Sequence, residues 1–516
     1  MTKASFPNFN SLCTFFALLI LTFHFSNGMA QKVGIGTTTP NASAQLDVQS
    51  TTRGFLPPRM NSTQRKAISS PAAGLIVFDT DINQLYVYDG SAWQPLVSGS
   101  SGNNLYPSQT AQPASDTRFK GYFGMDVALS GNYAVAGAPN ADSGTTQSTG
   151  VVYVFKKGTS GAWVQVAKLY ASDAQSGSYF GSTVAIAGNY IVVGSSAYYN
   201  GPSAVSTGKV YVFVKGAGDT WTQQTSFTQP AIAGTTYEFG YYLAVSVTSA
   251  SGPAIIVGAP TTPGAGSNRG AAYIYRLSGG VWSLQQTLTP NDLANDSYFG
   301  QDVDIDGDYC VIGAPYQDNT TYNIANAGAV YVYVFGGGVW SPQDKLLSYT
   351  SNAAFGTSLS LQNNVLAVGA PRAAHYADYT SSVYLFKRNV TTWEQFDELS
   401  FSTASGYGDA SFFGQSLSLD SNNLMIGIPA GVKFHSLGAI GGSGVAGVAV
   451  YRKFSNGSGF YLTKIIRDDD PLPSQTGGHF FGNAVSTKNG NYIIGIPTKP
   501  AGEVHDSGTI AFGFIE

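Results

Sequence analysis

Cysteine and charge are both scarce in this chain of 516 residues. Only Cys13 and Cys310 occur, and Cys13 lies in an N-terminal stretch that we expect to be removed, so an intramolecular disulfide is excluded. Charged residues make up 11% of the sequence, with 26 Lys and Arg against 30 Asp and Glu, so no basic surface for nucleic acid is expected. Beyond that stretch, no apolar run approaches the roughly twenty residues of a membrane-spanning helix. Packing must therefore hold the fold.

The first 30 residues have the pattern of a secretory signal peptide. Lys3 precedes an apolar region from about Phe15 to Phe25, and small residues follow at Gly28 to Ala30. We expect cleavage after Ala30 and a secreted or cell-surface protein. The rest of the chain is rich in residues typical of strands and turns, with 62 Gly, 31 Tyr and 30 Phe. The composition thus favours an all-β fold.

A Phe-Gly pair recurs through most of the chain and divides it into units. The spacings between successive pairs are 57, 59, 60, 56, 58 and 68 residues. Most units continue with a short apolar run that ends in Gly-Ala-Pro or Gly-Ile-Pro, whereas the second has Gly194-Ser-Ser196. The seven pairs begin at Phe123, Phe180, Phe239, Phe299, Phe355, Phe413 and Phe481.

Each unit contains signals for four strands. In the second unit an alternating strand, Val184 to Ile186, is followed by the turn Gly188-Asn189 and the apolar runs 190–193 and 210–213. A more polar strand opens at Trp163, Trp221, Trp282, Trp340 or Trp393, with Phe460 in the sixth unit. Four strands in each of seven units predict a seven-bladed β-propeller. The last unit has room for only three strands, and we expect residues 104–107 to supply the fourth.

Phe-Gly, Gly-Ala-Pro and a following Gly-x-Val-Tyr-Val-Phe resemble the FG-GAP repeats of integrin α-subunit propellers and their bacterial relatives. The resemblance covers residues 104–516. It implies a non-enzymatic extracellular recognition and adhesion scaffold, often with calcium bound between the first and second strands of a repeat. Six of the seven units lack the acids of that calcium loop.

Residues 31–97 lie outside the repeats and predict a small β-rich module. The runs 74–80 and 84–88 have the pattern of a hairpin, with turn residues Asp81 and Asn83 between them. The series resembles the tail-fibre-like head segment of secreted Bacteroidetes-type proteins, which implies self-association into a homo-oligomer. Residues 98–103, rich in Ser and Gly, are interpreted as a linker.

One acidic cluster matches part of the calcium loop. Asp302, Asp304, Asp306 and Asp308 place carboxylates at alternate positions around Gly307, as calcium requires, but Cys310 occupies the ninth position. Two interpretations stand: a calcium site, or a strand with polar residues on one face closed by an ordinary Gly-Asp turn.

The propeller topology predicts where recognition occurs. Loops between the second and third strands are long and share one face with the connectors between units, and long loops on a rigid scaffold commonly bind partners. Aromatic residues in these loops are candidate contacts for an extracellular protein or glycan. They are Tyr198, Tyr199, Tyr316, Tyr322, Tyr376, Tyr379 and Phe434. No catalytic residue is identified, although a polysaccharide-acting enzyme with acids lining the pore, or a structural oligomer, remains an alternative.

Overall fold

The fold is taken from a computed structural model of the chain. Contacts divide it into two compact units, with the boundary between Leu96 and Val97. The predicted signal peptide, residues 1–30, and the predicted linker, residues 98–103, lie outside the described residues. The structure describes residues 33–80, 84–88, 90, 93–95, 110–113, 121–142, 146–195, 208–230, 238–249, 252–262, 267–371, 374–375, 378–379, 381–401, 412–429, 433–434, 438–439, 446–454, 457–467, 480–498 and 507–515.

The first unit is small and mostly β, as predicted. Its described strands are β1 (Val33–Ile35), β2 (Leu46–Val48), β3 (Arg59–Met60), β4 (Ile76–Asp79), β5 (Gln84–Tyr88) and β6 (Trp93–Pro95). Strand β1 pairs in parallel with β2, and β3 to β6 form a four-stranded sheet in which β4 and β5 are the predicted antiparallel pair.

A five-residue helix, α1 (Ser62–Lys66), packs beside this sheet. Asn61 and Gln64 form a capping box at its start, which satisfies free amide groups of the first turn. Buried Arg65 donates to Asp79 of β4 at 2.9 Å, and its guanidinium lies over the Tyr86 ring of β5 at 3.8 Å. These two contacts hold the helix against the sheet. In the described part of the chain, no helix is long and apolar enough to cross a membrane.

The second unit consists of four-stranded antiparallel sheets, which we number in chain order. Strand β7 (Thr110–Pro113) comes first and belongs to the last sheet. Sheet 1 contains β8 (Val127–Ser130), β9 (Tyr133–Ala138), β10 (Val151–Lys157) and β11 (Trp163–Leu169). Sheet 2 contains β12 (Phe180–Ala187), β13 (Tyr190–Ser195), β14 (Lys209–Lys215) and β15 (Trp221–Thr228). Sheet 3 contains β16 (Tyr242–Ser246), β17 (Ala254–Ala259), β18 (Ala271–Ser278) and β19 (Val281–Leu288).

Three sheets with the same order of strands follow, and two of them carry a short extra hairpin. Sheet 4 contains β20 (Val303–Asp306), β21 (Tyr309–Ala314), β22 (Ala329–Gly336) and β23 (Val339–Leu347). Sheet 5 contains β24 (Ser358–Gln362), β25 (Val365–Ala370), β28 (Ser381–Asn389) and β29 (Thr392–Phe401), with hairpin strands β26 (Ala374–His375) and β27 (Asp378–Tyr379). Sheet 6 contains β30 (Leu417–Leu419), β31 (Asn423–Ile428), β34 (Gly447–Lys453) and β35 (Phe460–Arg467), with hairpin strands β32 (Lys433–Phe434) and β33 (Gly438–Ala439).

Sheet 7 is completed by a strand from the beginning of the unit. Its strands are β36 (Val485–Lys488), β37 (Asn491–Ile496), β38 (Thr509–Phe514) and β7. The prediction of an upstream fourth strand is confirmed, but its predicted position was wrong. Residues 104–107 lie outside the described residues, and Thr110–Pro113 pairs with β38. This strand ends ten residues before Phe123, close to the eleven that separate Leu169 from Phe180, but its polar sequence concealed it.

The first strands of the sheets are the innermost, because each contacts the first strands of two other sheets. The contacts run from β8 to β12, β16, β20, β24, β30 and β36 and back to β8. Apolar clusters fill the space between successive sheets; one contains Phe180 and Val184 of sheet 2 together with Val135 and Val152 of sheet 1. This is the β-propeller architecture that the repeats predicted.

The repeat motif occupies equivalent buried positions. All seven Phe side chains of the Phe-Gly pairs are at most 1% exposed. Six of them pack edge-on against a tyrosine of the third strand in the same sheet, as Phe180 does against Tyr211 at 5.3 Å between ring centroids. The Gly that follows each Phe has φ between 81° and 94°, which a side chain would strain. The motif therefore serves packing.

Candidate functional site

Two of the predicted aromatic residues lie on the long-loop face in a segment whose backbone and side chains the structure describes. Tyr316 and Tyr322 lie between β21 and β22 in sheet 4. Tyr198, Tyr199 and Tyr376 lie outside the described residues. The backbones of Tyr379 and Phe434 belong to the short strands β27 and β32. Of the loops predicted to bind a partner, the one in sheet 4 is described with its side chains.

Tyr322 is exposed and stands beside a second exposed ring that the sequence did not indicate. Tyr322 is 60% exposed and Tyr349, in the connector that leaves sheet 4, is 70% exposed. Their ring centroids are 5.2 Å apart with the planes at 72°. We call Tyr322, Tyr349 and the two loops that carry them, residues 315–328 and 348–354, the tyrosine platform.

Tyr316 has a different environment. It is half-buried and packs edge-on against Tyr298, with ring centroids 5.5 Å apart. Tyr298 adopts a left-handed backbone, with φ of 54°, immediately before Phe299. The Tyr316 ring therefore helps to pack the base of the loop, and only part of it is open to a ligand.

The loop that carries Tyr322 is fixed by its own hydrogen bonds. Asn319 and Ile324 exchange two backbone hydrogen bonds, of 2.9 and 3.0 Å, which close a short hairpin around Tyr322. The Asn319 side chain is fully buried, and its Nδ2 donates to the carbonyl of Ser348 at 3.0 Å. Gln317, also buried, accepts from the amide of Ala294 at 3.0 Å. The exposed ring thus stands on a loop with buried polar anchors.

The two loops of the platform are also joined to each other. Asn326 donates from Nδ2 to Oδ1 of Asn352 at 3.2 Å. The amide of Asn352 and the hydroxyl of Ser351 both donate to the carbonyl of Ala325, at 3.3 Å. These contacts tie the loop of Tyr322 to that of Tyr349 and so fix the position of one ring relative to the other.

The platform carries almost no charge. Asp318 is its one ionisable acid, and Oδ1 of Asp318 accepts from the amide of Asn326 at 2.8 Å. No Lys, Arg, His or Glu occurs in residues 315–328 or 348–354. The surface therefore offers aromatic faces, side-chain amides and hydroxyl groups.

The four Asp residues of the predicted calcium site lie along the inner strand of sheet 4 and in the turn after it. Their carboxylates accept hydrogen bonds from backbone amides and side-chain hydroxyls. Asp302 accepts from the amides of Val303 and Leu359, at 2.8 and 2.7 Å. Asp304 repeats this pattern two residues later, with the amides of Ile305 and Leu361 at 2.7 and 2.6 Å. Each carboxylate therefore binds amides of its own strand and of the first strand of sheet 5.

The remaining two acids are engaged in the same region. Asp306 accepts from the amide of Asn363 at 2.8 Å and from the Thr248 hydroxyl at 3.1 Å, whereas Asp308 accepts from the Ser249 hydroxyl at 2.5 Å. Within the described ranges, no group of three or more His, Cys, Asp or Glu is arranged to hold a metal ion. The hydrogen bonds fit the interpretation of a strand with polar residues on one face, and the calcium site stays a prediction.

Similar side-chain acceptors occur at other boundaries between first strands. Asp126 accepts from the amide of Val184, at 2.7 Å. The hydroxyl of Ser360 accepts from Leu419, and that of Ser486 accepts from Leu129. An inner strand has one edge without a partner strand, and these acceptors satisfy amides along that edge.

Burial changes the ionisation of three of these carboxyl groups. It raises the pKa of Asp126 to about 6 and that of Asp304 to about 6, although the amide hydrogen bonds act in the opposite direction. Burial also raises the pKa of Asp302 well above its usual value, with smaller contributions from the charges of Asp304 and Asp126.

Two of these features were not predicted from the sequence. Tyr349 follows a fourth strand, and the aromatic prediction covered only the loops between second and third strands, although the connectors between units share their face. Asp126 stands three residues after Phe123, as Asp302 does after Phe299, so aligning the units on Phe-Gly would have revealed the pair.

Comparison with protein families agrees with both predicted segments. The model of the FG-GAP repeat matches residues 112–155, 163–213 and 282–333. The model described as a phage tail like trimerisation region matches residues 34–112. Three segments of the chain thus match the FG-GAP repeat, and the segment before them matches a phage tail like trimerisation region, as the sequence motifs predicted.

Structural comparison gives a more distant likeness. A solved structure described as a putative 6-phosphogluconolactonase from Bacteroides fragilis aligns with 75% of this chain and 92% of its own, with 11% identity and a TM-score of 0.42. No curated protein matches the sequence.

Proposed function

We propose that this chain is a secreted or cell-surface adhesion protein that binds an extracellular protein or glycan through the long-loop face of its propeller, without catalysis. The observation that carries the proposal is the exposed pair Tyr322 and Tyr349 on interlocked loops. Tyrosines that face solvent on an ordered loop are effective anchors for a binding partner. FG-GAP repeats and the signal-like N-terminus support an extracytoplasmic location.

The N-terminal region extends the proposal to a multivalent protein. Its similarity to phage tail trimerisation regions supports self-association. Several of its apolar side chains are exposed, among them Val33, Ile35, Leu46, Phe55 and Leu56, at 53% to 74%. Joining several propellers would raise the apparent affinity for a repetitive surface without any new contact.

A non-catalytic role fits the environment of the half-buried acids on the inner strands. Asp126, Asp302 and Asp304 have the raised pKa values that general acids often show. However, in each of them both carboxylate oxygens accept a backbone amide, which is a structural use of the group. If the chain hydrolysed polysaccharides and Asp126→Asn abolished this activity in a folded protein, the non-catalytic assignment would be wrong.

The test is a binding screen with residues 31–516, against arrays of extracellular proteins and glycans, in the presence and absence of EDTA. The double variant Tyr322→Ala/Tyr349→Ala should lose the ligand and keep the thermal stability of the parent. Tyr170→Ala is the matched control, because Tyr170 is 41% exposed and lies outside the platform. Ligand binding that survives in the double variant would refute the assignment to the platform. Loss of binding with EDTA would support the calcium prediction for Asp302 to Asp308.

A further inference from the structure

We infer that the tyrosine platform binds an uncharged glycan, an inference that rests on the proposed recognition function and names its ligand class. Three features of the platform support it: the paired exposed rings, the amide and hydroxyl groups around them, and the lack of charge. Each limits the chemistry of the ligand in a different way.

The rings favour a sugar surface. One face of a pyranose ring carries C–H groups, and it packs against an aromatic face while the sugar hydroxyls remain free for hydrogen bonds. Tyr322 and Tyr349 are both more than half exposed, and their planes differ by 72°. Two surfaces at this angle suit neighbouring units of an oligosaccharide better than a single flat ring.

The polar groups near the rings match sugar hydroxyls. Residues 320–323 are Thr-Thr-Tyr-Asn, and residues 349–352 are Tyr-Thr-Ser-Asn, so each ring is flanked by hydroxyl and amide side chains. Such groups both donate and accept hydrogen bonds, as sugar hydroxyls do. Asn323 and Asn352 have left-handed backbones, each with φ of 55°, which fixes the turns that present them.

The charge distribution disfavours acidic glycans and strongly charged peptides. A uronate or sulfate ester requires Arg or Lys, and the platform has neither. Lys345, on the strand that leads to Tyr349, pairs with Asp292 at 2.6 Å and lies over the Tyr331 ring at 4.8 Å. The nearest cation in sequence to Tyr349 is therefore already engaged.

Hydrogen bonds within and between the two loops fix the positions of the rings. The Asn319–Ile324 hairpin and the Asn326–Asn352 contact hold the rings in place. Little entropy is then lost when a ligand binds, and a few stacking contacts and hydrogen bonds suffice for measurable affinity.

The experiment uses residues 31–516 and two panels of polysaccharides. The neutral panel contains a β-1,3-glucan, a galactomannan and an arabinoxylan; the acidic panel contains polygalacturonate, alginate and chondroitin sulfate. We expect saturable binding to a neutral member, with an affinity that changes less than about twofold between about 50 and 500 mM NaCl, because no ion pair is involved. Tyr322→Ala and Tyr349→Ala should each weaken it by at least about tenfold, which corresponds to the loss of one stacking contact.

Two further variants keep the result interpretable. Tyr322→Phe retains the ring and should bind within about threefold of the parent, whereas Tyr170→Ala should bind like the parent. Binding to acidic polysaccharides or proteins alone, lost in the platform variants, would overturn the glycan class and leave the proposed recognition function standing. Binding of neutral glycans that Tyr322→Ala and Tyr349→Ala do not change, or an absence of binding to the neutral panel, would also overturn it. An absence of any protein or glycan ligand would overturn the proposed function as well.

Discussion

Gly495 in sheet 7 lies directly against Gly124 in sheet 1. A methyl group added to the α-carbon of Gly495 would be 2.1 Å from the carbonyl oxygen of Gly124. Gly495 belongs to the Gly-Ile-Pro motif and Gly124 to the Phe-Gly motif, so the two halves of the repeat meet between sheets. The same contact, at 2.0 to 2.2 Å, occurs for Gly137 and Gly181, Gly194 and Gly240, Gly258 and Gly300, Gly313 and Gly356, Gly369 and Gly414, and Gly427 and Gly482.

Gly495→Ala should destabilise the propeller, because the new methyl group would collide with backbone that cannot move without separating sheets 7 and 1. We expect a loss of about 3 kcal/mol in the free energy of unfolding, the upper range for overpacked sites. Urea unfolding followed by tryptophan fluorescence measures it. Gly336→Ala is the control, since no atom lies within 4 Å of an added methyl group there. Equal stability of both variants would show that the contact does not limit packing.

The stability of the propeller should decrease as the pH rises from about 4 to about 6. Burial raises the pKa of Asp126 and Asp304 to about 6 in the folded protein, against about 3.9 in an unfolded chain. The folded state then binds these protons more tightly, so their contribution to stability is complete below pH 4 and is lost as the pH passes through about 6.

The variant Asp126→Asn/Asp304→Asn isolates this effect, because neither amide titrates. Urea midpoints of the parent and the variant at several pH values should differ in slope between pH 4 and 6, with the parent losing more stability. Glu394→Gln, at an exposed position in sheet 5, should behave like the parent. Parallel slopes for the parent and the double variant would contradict the assigned environment of these carboxyls.

Asn319→Ala should loosen the platform while leaving both rings in place. The substitution removes the hydrogen bond to Ser348, which is destabilising, but it also removes a buried Oδ1 that has no partner among the described residues. We therefore expect the free energy of unfolding to fall by only about 1 kcal/mol. Hydrogen exchange should increase at the amides of residues 319–326, and affinity for the ligand should fall. Thr320→Ala, at an exposed neighbour, is the control. Unchanged exchange in Asn319→Ala would show that this anchor is dispensable.

Residues 31–516 should form trimers in solution. Phe55 and Leu56 are 68% and 74% exposed in a unit that is too small to bury them by itself. Light scattering should give three times the chain mass, and Phe55→Asp/Leu56→Asp should give a monomer with an intact propeller. Val390→Asp changes a similarly exposed apolar residue in the turn between β28 and β29 and should remain trimeric. A monomeric parent would contradict the oligomer.

The fold was predictable from the sequence because it repeats. Phe-Gly recurs in all seven units, and Gly-Ala-Pro and the Trp of the fourth strand recur in most of them at similar offsets. Strand β7 was misplaced because Thr-Ala-Gln-Pro carries no apolar pattern and is recognised only by its distance from Phe123. Repetition identifies what the units share and gives no information about a segment that occurs once.

The candidate site was predicted less well, for the same physical reason. Tyr322 was identified from its loop, but its partner Tyr349 comes from a different segment, and their contact depends on how the Asn319 and Asn326 side chains fold the two loops together. The spacing of Asp302 to Asp308 resembles that of a calcium loop, but it could not show which amides these carboxylates would accept from. Asp302, Asp304 and Asp306 accept from amides at the unpaired edge of β24 and the residue after it.

A hydrogen exchange footprint tests most directly whether the tyrosine platform is the recognition surface. Residues 31–516 would be compared with and without a saturating ligand from the binding screen. The account predicts protection concentrated in residues 316–326 and 348–354, and its loss in Tyr322→Ala/Tyr349→Ala. Protection confined to the opposite face, at the turns between third and fourth strands such as residues 336–339, would contradict it.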